Sequence, residues 1–192
     1  HVGSDASYAG GHIPGARVMP TMSFMVERDG LSTEMPDAAA LEATLESAGI
    51  SDSSRIIIYS ATTPPTLAAR LYVTLDQFGL GGRTSLLNGS LATWRAEGRP
   101  LSTEAAPARR GSVTLRPQTN VVADQQLVSA RVADQASTII DARDVQFYTG
   151  EAQNMQRAPR AGRIPTAHNV VYSTLVADTG LWPDPQALAS RF

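Results

Sequence analysis

The sequence predicts an α/β protein in which short parallel strands alternate with helices, built from two related units. Three observations carry that prediction. The apolar run Ile56, Ile57, Ile58, Tyr59 lies between a polar cluster, SDSS, and a proline-bearing loop, TTPP. A run this short and apolar at every position reads as a strand buried on both faces of a parallel sheet. After the loop, Leu67, Leu71, Leu75 and Phe78 recur at helical spacing and Gly79 supplies the stop. Finally, GHIPGARVM (residues 11–19) returns as GRIPTAHNV (residues 162–170), and internal repetition implies an architecture of like units.

Taken in chain order, the pattern first gives a helix over residues 37–48, with Leu41 and Leu45 on one face and Pro36-Asp37 at its start. The strand 56–59 and the helix 66–78 follow. Residues 84–87 read as another strand, Asn88-Gly89 as a turn, and residues 91–96 as a short helix closed by Gly98 and Pro100. Leu91 and Trp94 on that helix read as core. The stretch 102–118 loses apolar periodicity and gathers Pro, Arg and Gly, so it reads as a connector. Beyond it, residues 120–132 regain helical spacing, and residues 137–140 form a second buried strand ending in Asp141, Ala142 and Arg143. The expected division is a first domain over residues 1–104, a linker over 105–119 and a second domain over 120–192.

The repeat extends beyond its central motif. Tyr8 and Gly10 match Tyr148 and Gly150, Gly30-Leu31 matches Gly180-Leu181, and Pro36-Asp37 with Leu41 matches Pro183-Asp184 with Leu188. On this register His1, Val2 and Gly3 stand opposite Asp141, Ala142 and Arg143, and Phe192 stands opposite Leu45. The expectation is therefore a chain that opens at the end of a strand and carries only the front of its second copy. Ile139 and Ile140 would then be exposed unless further chain covers them. Trp182, beside Pro183, reads as a packed loop anchor.

Composition narrows the chemistry. At about 150 residues per domain, 192 residues make one large domain, two small ones, or one domain and part of another. With 42% hydrophobic and 18% charged residues the chain has the means to fold. A net charge of -2 offers no basic field for nucleic acid. There is no Cys, and all 16 basic residues are Arg. Those two zeros exclude disulfides, thiolate metal sites, lysine Schiff bases and a phosphate-gripping P-loop lysine from this sequence. The absence of Lys beside abundant Ala and Arg points to GC-rich coding and a bacterial source. No stretch approaches the roughly 20 apolar residues that span a bilayer, and the first residues resemble no signal peptide.

Among polar residues, His1, His12 and His168 lack the close spacing of zinc ligands. His12 is expected to brace the GHIPG turn through hydrogen bonds, and since Arg163 takes its place in the second copy it need not be catalytic. Asp141 is expected to organise a strand end rather than act as a base. Arg157, Arg160 and Arg163 form a small positive cluster, either a solvated face or an aid to drawing in an anion. Arg143 follows a strand at the carboxyl edge where open α/β sheets bind ligands. Its fork suits a carboxylate, and the competing reading is plain pairing with Asp141 or Asp144.

The series YAGGHIPGA, IIIY with its loop and helix, and LLNGSLATWRAEGRPLST closely resembles the first domain of tandem rhodanese sulfurtransferases, the thiosulfate and 3-mercaptopyruvate types. TIIDARDVQFYTGE followed by GRIPTAHNV resembles the start of the second domain of the same family. The resemblance covers nearly the whole chain. It implies two rhodanese-like domains, each a parallel sheet flanked by helices, the second incomplete here. In that family a cysteine opens the loop after the buried strand of the second domain. There a ring of backbone N–H groups at a helix start favours its thiolate and the persulfide it carries. The resemblance thus places the nucleophile past Phe192. In the first domain Ser60 occupies the cysteine's position, and Pro64 and Pro65 remove two N–H groups from the cradle, so that loop is silent for sulfur transfer. Arg143 takes the position of the arginine that holds the anionic donor. Gln146 precedes Phe147 where family members often carry a second arginine.

The function so implied is transfer of a sulfane sulfur from thiosulfate or 3-mercaptopyruvate to a thiophilic acceptor through a cysteine persulfide. The alternative is a catalytically inert tandem module that binds or regulates. The residue opening the second loop discriminates the two. An arsenate reductase or phosphatase on a related scaffold would need a longer Cys loop ending in Arg, and the tandem layout opposes it. The implied partners are a small anionic donor and a thiophilic acceptor, with no nucleic acid, no membrane span, no cofactor and no metal. The protein is expected to be a monomer or weak dimer, in cytoplasm or periplasm alike.

Overall fold

The chain divides after Val121. In the computed structural model, which describes residues 1–107, 109–153 and 160–192, one unit comprises His1–Val121 with the segment Asp178–Leu181, and the other Val122–Ala177 with Trp182–Phe192. The first contains α1 (Asp5–Ala9), β1 (Val26–Arg28), β2 (Leu31–Glu34), α2 (Ala38–Ser47), β3 (Ile56–Ser60), α3 (Thr66–Gln77), β4 (Thr84–Ser90) and α4 (Leu91–Ala96). The second contains α5 (Gln125–Asp134), β5 (Ile140–Asp141), α6 (Val145–Thr149), β6 (His168–Asn169) and α7 (Pro185–Ala189).

In the first unit β3 runs parallel to β4, and on its other side Val2 bridges in parallel to both Ser60 and Met19. The spatial order is therefore Met19, Val2, β3, β4. Helix α2 starts where the Asp37 carboxylate accepts the Ala40 N–H at 2.8 Å, an N-cap worth about 1 kcal/mol. Its Leu41 and Leu45, with Leu71 and Leu75 of α3, close over Ile58, Val2, Phe24 and Leu80. Full burial of each such side chain contributes roughly 1.5–3 kcal/mol.

Three expectations need correction here. Ile57 is 64% exposed, so β3 is not buried on both faces along its whole length; the face carrying Ile58 is packed, and the opposite face, which carries Ile57, closes only further along at Tyr59. Asn88-Gly89 is not a turn but lies inside β4. Pairing runs Ile56↔Thr84, Ile57↔Ser85, Ile58↔Leu86, then resumes at Ser60↔Ser90, so Asn88 and Gly89 fall in the excess on β4, with Gly89 at φ +114°. Trp94 is half-buried rather than core: its indole N–H donates to the Pro100 carbonyl at 2.9 Å, and the Arg99 guanidinium lies 5.1 Å from the ring centre. The antiparallel hairpin of β1 and β2 has no counterpart among the elements that periodicity predicts; Asp29 and Gly30 turn it with φ of +52° and +79°.

The stretch 105–119, read as a connector, lies along the first unit. Asp52 N–H donates to the Ser112 carbonyl, Arg116 N–H to Phe78, and Val113 joins the core.

In the second unit β5 pairs in parallel with β6. Helix α5 begins five residues later than the expected 120–132 because Asp124 caps it, accepting Leu127 N–H at 2.7 Å. None of its residues is buried. The strand expected over residues 137–140 to be buried is two residues long, with Ile140 38% exposed. Among the described residues of this unit Ala167 alone is buried.

The repeat is structural as well as sequential. Tyr8 hydroxyl donates to the Ala16 carbonyl at 2.8 Å, and Tyr148 to Ala167 at 2.9 Å. Ala16 N–H closes onto Ile13 and Ala167 N–H onto Ile164; Met19 N–H meets the His1 carbonyl and Val170 N–H that of Asp141. Asp184 caps α7 through Ala187 N–H as Asp37 caps α2.

Candidate functional site

Two places carry the residues that the sequence singles out. The first is the end of β3. Parallel pairing with Val2 and β4 carries Ser60 to the strand's carboxyl end with its side chain buried, 1% exposed. Its Oγ accepts the Thr62 N–H at 3.2 Å, and the Ala61 N–H donates to the Val2 carbonyl at 3.0 Å. Pro64 and Pro65 have no N–H. The loop from Ala61 to Pro65 therefore spends two N–H groups internally and lacks two more, a poor cradle for an anion. A serine hydroxyl in this place supplies no thiolate.

The second place is the end of β5. Arg143 follows the strand and folds back on Asp141: Nε lies 2.9 and 3.2 Å from the two carboxylate oxygens and Nη2 2.6 Å from Oδ2. The backbone N–H of Arg143 also donates to Asp141 Oδ1 at 3.1 Å, and Nη2 donates to the Gly162 carbonyl at 2.8 Å. The Arg143 side chain remains 39% exposed while Asp141 is 10% exposed. The guanidinium bonds hold the Asp141 carboxyl below its ordinary range, and the carboxylate in turn raises Arg143. Asn169 fixes the strand end from β6 by donating to the carbonyls of Asp141 and Arg143 at 2.8 and 2.9 Å. Asp141 thus acts as an organiser, and it orients one edge of a charged fork near the surface.

The remaining candidates separate. His12 is fully buried; Nδ1 lies 2.8 Å from the Tyr8 carbonyl oxygen and Nε2 3.1 Å from that of Glu104, and its ring stacks on Tyr8 at 3.7 Å. It braces the turn. His1 faces Tyr59 and Ser7, while His168 is an exposed residue of β6. Among the described residues no three His, Asp or Glu side chains converge as metal ligands. Of the arginine cluster, Arg157 lies outside the described residues, and Arg163 stacks over Tyr148 at 4.4 Å, where His12 stacks over Tyr8 in the first copy. Sequence reasoning missed Tyr59, whose hydroxyl accepts the Ile13 N–H at 3.0 Å and whose phenol is raised by burial. The apolar run IIIY was its only signal. Among the described residues no helix is long and apolar enough to cross a membrane.

Comparison with known proteins agrees with this geometry. The Rhodanese-like domain family matches residues 2–97. The chain is 28% identical over 190 residues to a probable 3-mercaptopyruvate sulfurtransferase of Pseudomonas aeruginosa, covering 96% of this chain and 66% of that protein. It is 32% identical over 166 residues to a thiosulfate sulfurtransferase of Azotobacter vinelandii, covering 86% of this chain and 59% of that one. The crystal structure of SseA from Escherichia coli, a 3-mercaptopyruvate sulfotransferase, superposes with a TM-score of 0.83 at 25% identity over 96% of this chain and 68% of its own. The chain thus spans about two thirds or less of the length of these two curated relatives. The family match extends over half of its residues, and the chain belongs to the rhodanese-like domain family.

Proposed function

We propose that the protein containing this chain is a sulfurtransferase that moves a sulfane sulfur from thiosulfate or 3-mercaptopyruvate to a thiophilic acceptor. The observation that carries this reading is the similarity along nearly the whole chain to relatives named for those two activities. On this reading residues 1–104 are a first rhodanese-like domain silenced at Ser60, 105–119 a linker, and 120–192 the front of a second such domain. The nucleophilic cysteine lies beyond residue 192, in the loop that matches the one after β3. Its thiolate attacks the outer sulfur of the donor; a new S–S bond forms, and the bond from that sulfur to the sulfonate of thiosulfate breaks, with sulfite leaving on the electron pair. An acceptor thiolate or cyanide then takes the outer sulfur and returns the cysteine thiolate. Arg143, held by Asp141, offers its exposed edge to the donor's anionic end.

The test is thiocyanate formation by the full-length gene product supplied with either donor and cyanide, together with its intact mass. Activity and a mass gain of one sulfur are expected. Arg143→Gln is expected to raise the donor KM by about tenfold and to leave the sulfur adduct chemically unchanged. A full-length protein with no thiocyanate and no sulfur adduct would overturn the enzyme reading in favour of an inert module, which the serine in the first loop already exemplifies.

A further inference from the structure

A cavity of about 530 Å³ opens on the first unit between α2, the segment that follows the GHIPG turn from Arg17 to Ser23, and residues 105–106. That volume lies in the range of small-molecule sites. Its floor is largely small or apolar: Met19, Ala43, Ala48 and Ala106 contribute to it.

The polar groups on its wall differ sharply in what they have left to give. Tyr8 hydroxyl donates to the Ala16 carbonyl, Ser23 to Pro20, Thr44 to Ala40 and Ser47 to Ala43. Each hydroxyl has one proton and has spent it. Arg17 is the exception. Its Nη1 donates to the Ala106 carbonyl at 3.1 Å and its Nη2 to that of Pro107, which leaves three of its five N–H bonds. Both partners are neutral, and among the described residues no carboxylate pairs with it. A half-buried guanidinium solvated by two carbonyls keeps its full charge to offer. The arrangement is not imposed by the duplicated turn, since His168 stands opposite Arg17 in the second copy.

We propose that this cavity binds a small monocarboxylate with an apolar body, its carboxylate on Arg17 and its body against the α2 wall. One cation matches one negative charge in fork geometry, and a wall without other free side-chain donors favours a monoanion over a phosphate dianion. The site is separate from the sulfur-transfer reading and stands or falls without it.

Benzoate, benzyl alcohol and benzylamine, titrated into this 192-residue chain at constant ionic strength and followed by calorimetry and by NMR, test the proposal. Benzoate is expected to saturate one site per chain and to bind about tenfold or more tightly than the alcohol, with no binding of the amine. Arg17→Gln removes that margin and leaves the alcohol's affinity where it was. Ala43→Met, a change at an exposed position of α2, fills the cavity and abolishes binding of both, with the melting curve showing that the chain still folds. Benzoate no tighter than the alcohol, or affinity that survives either substitution, overturns the proposal.

Discussion

In the first unit Phe24, Leu41 and Leu45 are wholly enclosed, whereas α5, of equal length to α2, buries none of its residues in the second. Yet the two units share their local geometry nearly bond for bond: the tyrosine hydroxyl on an alanine carbonyl, the aspartate cap, the parallel approach of two short extended segments. The difference teaches that turns and caps are local properties, written within a few residues, while burial needs partners from elsewhere in the chain. A unit can therefore reproduce these local features of its counterpart while burying, among its described residues, a single alanine.

The largest effect expected from this contrast lies in the core. Leu45→Ala should cost about 2–5 kcal/mol in urea unfolding, the range for an enclosed leucine that leaves a cavity. Leu127→Ala on α5, 42% exposed, should change stability by less than about 0.5 kcal/mol; equal costs would break the comparison. The matched caps give a smaller effect. Asp37→Ala should lower the stability of the first unit by about 1 kcal/mol, while Asp184→Ala should reduce helical circular dichroism without moving that unit's unfolding midpoint. The smallest effect is electrostatic. Asp52 in the first unit and Asp141 in the second are both held below the ordinary carboxyl range, Asp52 foremost by the Thr114 N–H and then by Arg83, Asp141 foremost by the Arg143 side chain. A folded-state value below the unfolded one means that each contribution is present above the unfolded carboxyl pKa of about 3.9. It is lost as pH falls through the depressed value. In a carbon-detected NMR titration Arg143→Gln should therefore return Asp141 most of the way upward, whereas Arg83→Gln should return Asp52 by the lesser part only.

What the residues reveal in advance follows the same division. Helices α2 and α4 are legible because their caps sit within a few residues, the Asp37 cap of α2 and the Ser90–Thr93 capping box of α4, and α3 because its apolar spacing runs up to Gly79. The hairpin of β1 and β2 escapes despite its Asp29-Gly30 turn, because its exposed strands carry no alternating apolar face. Asn88-Gly89 misleads for the opposite reason: the dipeptide favours a turn, but pairing of Ser90 with Ser60 draws the chain on as strand. The stretch 105–119 packs through Val113 and Leu115, too few apolar residues to form a period. At the candidate site, Asp141 and Arg143 are near enough in sequence for their pairing to be foreseen. The bond from Arg143 to the Gly162 carbonyl, across a separation of 19 residues, depends on where the second turn folds back.

That second turn has a history of its own kind. Gly15 sits in the first copy at φ +78°, where glycine rests without steric cost, and Thr166 sits at the matching position at φ +67°. A β-branched residue in that region pays on the order of 1–2 kcal/mol. The first turn thus carries no strain at this position, and the Tyr8 hydroxyl on Ala16 and the His12 ring hold a shape that its backbone already allows. The second is an obligation, imposed by the Tyr148 hydroxyl on Ala167 and by β6 on β5. Two copies of one shape have come to be remembered in different places, the one in its backbone and the other in its neighbours.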